Sequence, residues 1–158
     1  MTSEEDRQAE AVRAYVLDTF SRWGDADAYA SRFSEASEYV AFDGSLHRGR
    51  RANADLHRPL FDGVLFGPRI VGEVESVRFV TPDVAIAHAV GGVVWPWHRT
   101  VPARRRSRQT LVVARTPAGV TITAFHNTRV APLGTPPAWL SRLWRAFTLR
   151  RAGLARAA

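Results

Sequence analysis

The chain has 158 residues, 46% of them apolar and 23% charged, which suits one globular domain and leaves little room for two. It contains no cysteine, so disulfides, thiolate metal sites and thiol nucleophiles are excluded. Its 22 basic residues are all arginine: residues 1–83 carry all 15 acids and 10 arginines, and residues 84–158 carry the other 12 arginines and no acid. Such polarity suits an anionic partner or an antiparallel dimer. No stretch approaches the roughly 18 apolar residues of a membrane span, and the acidic start MTSEEDRQAE is unlike a secretory leader, so the cytoplasm is the expected compartment.

Ser3 before Glu4, Glu5 and Asp6 predicts a helix start, and Val12, Tyr15, Val16, Thr19, Phe20 and Trp23 recur at helical spacing until Gly24. Asp25 or Asp27 can cap a second short helix carrying Tyr29, Ala30 and Phe33. From Glu38 the period changes: Tyr39 to Phe42 is β-like, Asp43-Gly44 signals a hairpin, and Ser45 to Gly49 returns as a short strand. Residues 51–61 read as a third helix with Leu56, Leu60 and Phe61 on one side and Pro59 placed to shorten or kink it. Four strands follow: 69–79, with imperfect alternation at Glu73 and Glu75, then 84–94, 107–115 and 120–130. Gly91-Gly92 permits a bend, and 95–106 forms a long basic hairpin tip. Pro132, Pro136 and Pro137 precede a last amphipathic helix with Trp139, Leu140, Leu143, Trp144 and Phe147 on one face. Helices early and strands late indicate α+β, with a domain over 1–131 and a Pro-rich connection and basic helix over 132–158.

Three segments, Trp23-Gly24-Asp25-Ala26-Asp27-Ala28-Tyr29, Phe42-Asp43-Gly44 with Arg48-Gly49-Arg50, and Ala124-Phe125-His126-Asn127-Thr128, together resemble the SnoaL-like and SgcJ/EcaC branch of the nuclear transport factor 2-like superfamily. The resemblance implies a cone: a curved antiparallel sheet with three N-terminal helices enclosing a ligand pocket, here with the C-terminal amphipathic helix added. It also implies frequent homodimers through the sheet and a link to polyketide or enediyne biosynthesis in actinobacteria. Activities in the superfamily range from isomerases, cyclases and dehydratases to proteins without catalysis. Fold alone does not choose among them.

The superfamily's isomerases use a pocket carboxylate as base, which makes Asp43 a candidate; an Asp-Gly turn is its plainer role. On the last strand Ile122, Ala124, His126 and Thr128 alternate with Thr123, Phe125, Asn127 and Arg129. The first set is smaller and more apolar, which places His126 inside as acid or base, or as a fastener of the sheet. His88 is a second pocket candidate or a satisfied core group, and Gln109 and Asn127 are neutral hydrogen-bonding candidates. His47 and His57 have weaker claims. Tyr15, Trp23, Tyr29, Phe33, Tyr39 and Phe61 supply an aromatic wall suited to a flat apolar ligand, or ordinary core. The five histidines lack metal-ligand spacing and no dinucleotide loop is present, so neither metal nor cofactor is expected. The expected function is a small-molecule pocket protein of secondary metabolism, as a cofactor-independent isomerase, cyclase or dehydratase. The alternative is a non-catalytic ligand-binding or assembly factor for polyketide synthase components. The expected partners are a hydrophobic small molecule and a second copy of the chain; neither nucleic acid nor a membrane is expected.

Overall fold

The first helix begins as its sequence dictates. Ser3 Oγ accepts from the Asp6 N–H at 3.1 Å and the Asp6 carboxylate accepts from the Ser3 N–H at 3.0 Å, a reciprocal capping box. The computed structural model describes residues 3–131, 134–151 and 153. Helix α1 (Glu4–Ser21) leads to the short α2 (Ala26–Ala30), capped by Asp25, whose side chain accepts from Ala28 N–H. Strands β1 (Phe33–Val40) and β2 (Leu46–Arg48) flank the hairpin, and α3 (Arg50–Asp62) runs through Pro59 instead of stopping there. Then come β3 (Arg69–Thr81), β4 (Val84–Val94), β5 (Ser107–Thr116) and β6 (Gly119–Arg129), and finally α4 (Ala138–Arg151). Phe33, expected on the second helix, is instead the first residue of β1.

The six strands form one sheet in the order β2-β1-β6-β5-β4-β3, antiparallel throughout except for the parallel pair β1–β6. Extra residues bend it, Glu75 and Val80 on β3 and Thr123 on β6. On β3, Val74 pairs with Ala89 but Ser76 with His88, leaving Glu75 as a bulge. On β6, Ile122 pairs with Val113 but Ala124 with Val112, leaving Thr123 as a bulge. Each added residue raises the local twist and exchanges the two faces of its strand. That accounts for the imperfect alternation around Glu75, because Val74 points inward and the phase then moves to Val77 and Phe79. At the wide end Gly72 and Gly91 pair across β3 and β4. A Cβ on Gly72 would sit 2.7 Å from the Val90 carbonyl oxygen, so the two backbones approach as only glycines allow.

The inner face becomes more polar from one end to the other. Phe33, Ile122, Val113 and Ala85 share the first row of the register, Tyr39, Phe125, Leu111 and Ala87 the second, and Asn127, Gln109 and Ala89 the third. Ala85, Ala87 and Ala89 leave room for α1, whose Val12, Val16 and Phe20 join the same core. Helices α2 and α3 pack on each other, and α3 covers β1. No residue of α4 is buried. Ending the chain after Ala131 is therefore expected to leave the unfolding free energy within about 0.5 kcal/mol of the full chain, read by urea denaturation. A loss well beyond that would mean that α4 packs on the domain.

Candidate functional site

The chemistry-bearing groups inside the cone gather around His57. Asn53, His57 and Phe61 recur every fourth residue on α3 and form its buried stripe, in place of the Leu56, Leu60 and Phe61 side expected from sequence; Leu56 and Leu60 are only half-buried. The imidazole is ringed by Trp23, Tyr29, Tyr39 and Phe61, with centroids 5.0–5.3 Å away. Its Nδ1 lies 2.8 Å from the Asn53 carbonyl oxygen, so this nitrogen carries the proton and Nε2 the lone pair. Nε2 faces the Tyr39 hydroxyl, which donates across 3.4 Å. Tyr39 in turn stacks on Phe125, 4.6 Å apart and 5° from parallel.

Burial sets the ionisation of this group. It lowers the His57 pKa below the ordinary value of 6.5, partly offset by the bond to the Asn53 carbonyl, so the ring is neutral at neutral pH. Burial raises the Tyr39 and Tyr29 hydroxyls above their usual range, and both stay protonated donors. The Tyr39 hydroxyl reinforces the shift on Tyr29, yet no hydrogen bond of acceptable geometry joins the two, and the Tyr29 hydroxyl has no protein partner. Trp23 Nε1, both polar side-chain atoms of Asn53, Ser37 Oγ and Gln109 Oε1 are likewise buried without one. A core kept only for packing rarely holds so many unpaired polar atoms, since each costs about 1–3 kcal/mol.

A neutral folded His57 has a consequence for stability. The unfolded chain takes up a proton near pH 6.5 that the buried ring resists. This contribution is complete above the unfolded pKa and is lost as pH falls through it towards the lower folded value. Urea denaturation is expected to show stability falling from about pH 7 to about pH 5, with a smaller fall in His57→Gln. Equal slopes in the two proteins would assign the titration to another group.

Nearer the wide end, Gln109 Nε2 donates to Ser107 Oγ at 2.6 Å and to Asn127 Oδ1 at 3.3 Å, while Gln109 Oε1 stays free. The sequence pointed to Gln109 as a polar group of the pocket and to Trp23, Tyr29, Tyr39 and Phe61 as an aromatic wall. Its strand alternation put Asn127 on the face opposite the pocket, but Asn127 in fact faces inward beside Gln109. The sequence did not anticipate Asn53, Ser37 or Ser107, and it underrated His57.

Other expectations are corrected. His126 is exposed on the outer face of the sheet, its Nε2 3.2 Å from Thr128 Oγ1, because the bulge at Thr123 turns Phe125 and Asn127 inward. His88 is also on the outer face, bonded to Thr110 Oγ1 at 3.1 Å; Thr110 pairs with both histidines and stands between them. Asp43 is exposed in the hairpin turn, where its Oδ1 accepts from Ser45 N–H at 2.9 Å and Ser45 Oγ at 2.6 Å. Those bonds hold its carboxyl below the ordinary range, which weakens it as a base. The Tyr15 hydroxyl donates to the Arg32 carbonyl at 2.9 Å and its ring lies under the Arg32 guanidinium, away from His57. Tyr29 and Phe33 are wholly buried: the Phe33 ring fills core between Tyr29, Tyr39 and Phe125, and the Tyr29 ring packs on His57 with its hydroxyl unpartnered. No acid is buried among the described residues, and a carboxylate base inside the cone is absent.

An open cleft of about 410 Å³ lies between α2 and α3, outside the cone. Its floor is Ala30 and Ala54, and its rim pairs Arg58 with Asp27 and Arg50 with Glu35, each at 2.7 Å. The charges on this rim neutralise one another. Among the described residues no group of three or more His, Asp or Glu is placed to hold a metal ion.

Known structures share this architecture. A domain of unknown function with a cystatin-like fold from Nostoc punctiforme is 28% identical, with a TM-score of 0.73 over 96% of this chain and 99% of that one. An NTF2-like protein with a cystatin-like fold from Novosphingobium aromaticivorans is 25% identical, with a TM-score of 0.62 over 82% and 85% of the two chains. A candidate dehydratase of the NTF2-like family from Streptomyces avermitilis is 17% identical, with a TM-score of 0.65 over 81% and 99%. No protein-family model and no curated protein matches the chain. The fold is that of the nuclear transport factor 2-like superfamily, as the sequence motifs implied.

Proposed function

We propose that the protein takes up an apolar small molecule through the wide end of the cone, and that His57 and Tyr39 move a proton on it. The observation that carries this is the set of buried polar atoms around His57 that no protein group satisfies: the Tyr29 hydroxyl, the Trp23 indole N–H and the Asn53 amide. A ligand carbonyl received there accepts from the Tyr29 or Tyr39 hydroxyl, which remains protonated as negative charge grows on the oxygen. The neutral Nε2 of His57 withdraws a proton from the adjacent carbon and returns it elsewhere on the molecule. The reaction class is isomerisation, cyclisation or dehydration without a cofactor. The aromatic surroundings suit a flat, polyketide-like molecule, and the SgcJ/EcaC and SnoaL-like resemblance of the motifs supports a place in secondary metabolism. The dehydratase candidate among the structural neighbours has the same fold, and its name supports the same class of chemistry.

The alternative, a non-catalytic ligand-binding or assembly factor for a polyketide synthase, has its own support in the outer face of the sheet. There Val84, Ile86, Val90, Val112 and Ala114 are half-exposed around the two histidines, a surface suited to a second copy of the chain. Native mass spectrometry of protein taken from its own host tests the main proposal and reads the assembly state. A retained small molecule, lost from the His57→Gln variant, is the expected result. Ligand-free protein that turns over no carbonyl substrate would favour the assembly role.

A further inference from the structure

The two ends of the sheet differ in charge. Val130 N–H donates to the Arg106 carbonyl at 2.9 Å, so the 95–106 tip and the segment leading to α4 leave the sheet at the same place. On the tip Trp97 is 73% exposed, and Arg99, Arg104 and Arg106 are exposed beside it. In α4, Trp139, Leu140, Leu143, Trp144 and Phe147 are 45–69% exposed. At about 100° per residue they fall in one arc, with Arg142 and Arg145 opposite. Arg150 and Arg151 end the helix, which holds no acid. None of the described ion pairs involves an arginine beyond Arg108. Glu4, Glu5 and Asp6, which open α1, lie towards the other end, where Gln8 and Ala11 line one small cleft with Pro82, Asp83 and Val120. Asp43 and Glu73 lie at the same end of the sheet as the tip.

We propose that this basic, aromatic end docks on an anionic phospholipid surface, with α4 lying in the plane of the interface. The apolar arc of α4 enters the boundary between headgroups and acyl chains, Arg142 and Arg145 meet lipid phosphates, and Trp97 anchors the tip beside it. At 14 residues α4 is too short to cross a bilayer, and no helix among the described residues is long and apolar enough to do so. Charge complementarity selects the surface, since α4 and the 95–106 tip offer arginines with no acid among them. Nucleic acid would use the arginines but leave Leu140, Leu143 and Phe147 in water.

Flotation of the full chain with phosphatidylglycerol–phosphatidylcholine vesicles, against pure phosphatidylcholine, tests the proposal. The protein is expected to float with the anionic vesicles only, and to detach as salt rises. Leu143→Ser with Trp144→Ser should abolish flotation, and Arg142→Gln with Arg145→Gln should lower partitioning roughly thirtyfold, at about 1 kcal/mol per arginine. These side chains support no core, so the variants should keep the melting temperature of the parent. Absence from anionic vesicles overturns the proposal. So does flotation that the serine pair leaves unchanged. Binding to single-stranded RNA in place of vesicles would assign the arginines to nucleic acid, and a dimer that the serine pair splits without any vesicle binding would assign the apolar arc to self-association.

Discussion

Phe33→Ala is expected to lower the unfolding free energy by about 3–5 kcal/mol, measured by urea denaturation. The ring is fully buried where α2, β1 and β6 meet, 5.3 Å from Tyr29, 5.7 Å from Tyr39 and 6.1 Å from Phe125. Three rings lose a neighbour at once, and the surrounding backbone is held by the sheet register and by Arg50 Nε donating to the Phe33 carbonyl at 2.7 Å. The site therefore relaxes poorly and a cavity remains. A cost below about 1.5 kcal/mol would mean that Phe33 already borders solvent, as a pocket wall would.

The second large effect concerns chemistry. His57→Gln is expected to lower turnover of the authentic substrate by about 10²–10⁴-fold, the usual contribution of a positioned base. Glutamine keeps a polar group near Tyr39 but cannot take a proton at neutral pH. Because the imidazole lone pair faces the cone interior and its other nitrogen is held by the Asn53 carbonyl, the loss should fall on kcat more than on KM. His126→Ala should leave turnover unchanged, since that ring is exposed on the opposite face of the sheet. The reverse pattern would move the chemistry to the outer face.

Much of the framework was legible in the sequence. Ser3 with early acids, Asp25 before a short helix and Asp43-Gly44 at a hairpin are local signals whose physics is complete within a few residues, and each element appears where they put it. The site was less legible because face assignment on a strand depends on every residue being paired. One unpaired residue, Thr123, reverses the alternation and exchanges His126 for Phe125 and Asn127. Nothing local to Thr123 announces the bulge, which follows from the bend that the whole sheet adopts. His57 was underrated for a similar reason. Its helical stripe also contains Asn53, a polar residue that reads as solvent-facing until β1 is known to lie against it.

The same buried atoms separate a ligand site from a core most directly in Tyr29→Phe. The hydroxyl has no protein partner, so its removal is expected to raise stability by about 1 kcal/mol, or roughly 2–4 °C in Tm, while weakening retention of the small molecule. Stability gained as binding is lost would identify a group kept for a ligand at the expense of the fold. A Tyr29→Phe protein that is less stable than the parent and still holds its ligand would contradict the account, because the hydroxyl would then belong to the core's own hydrogen bonding.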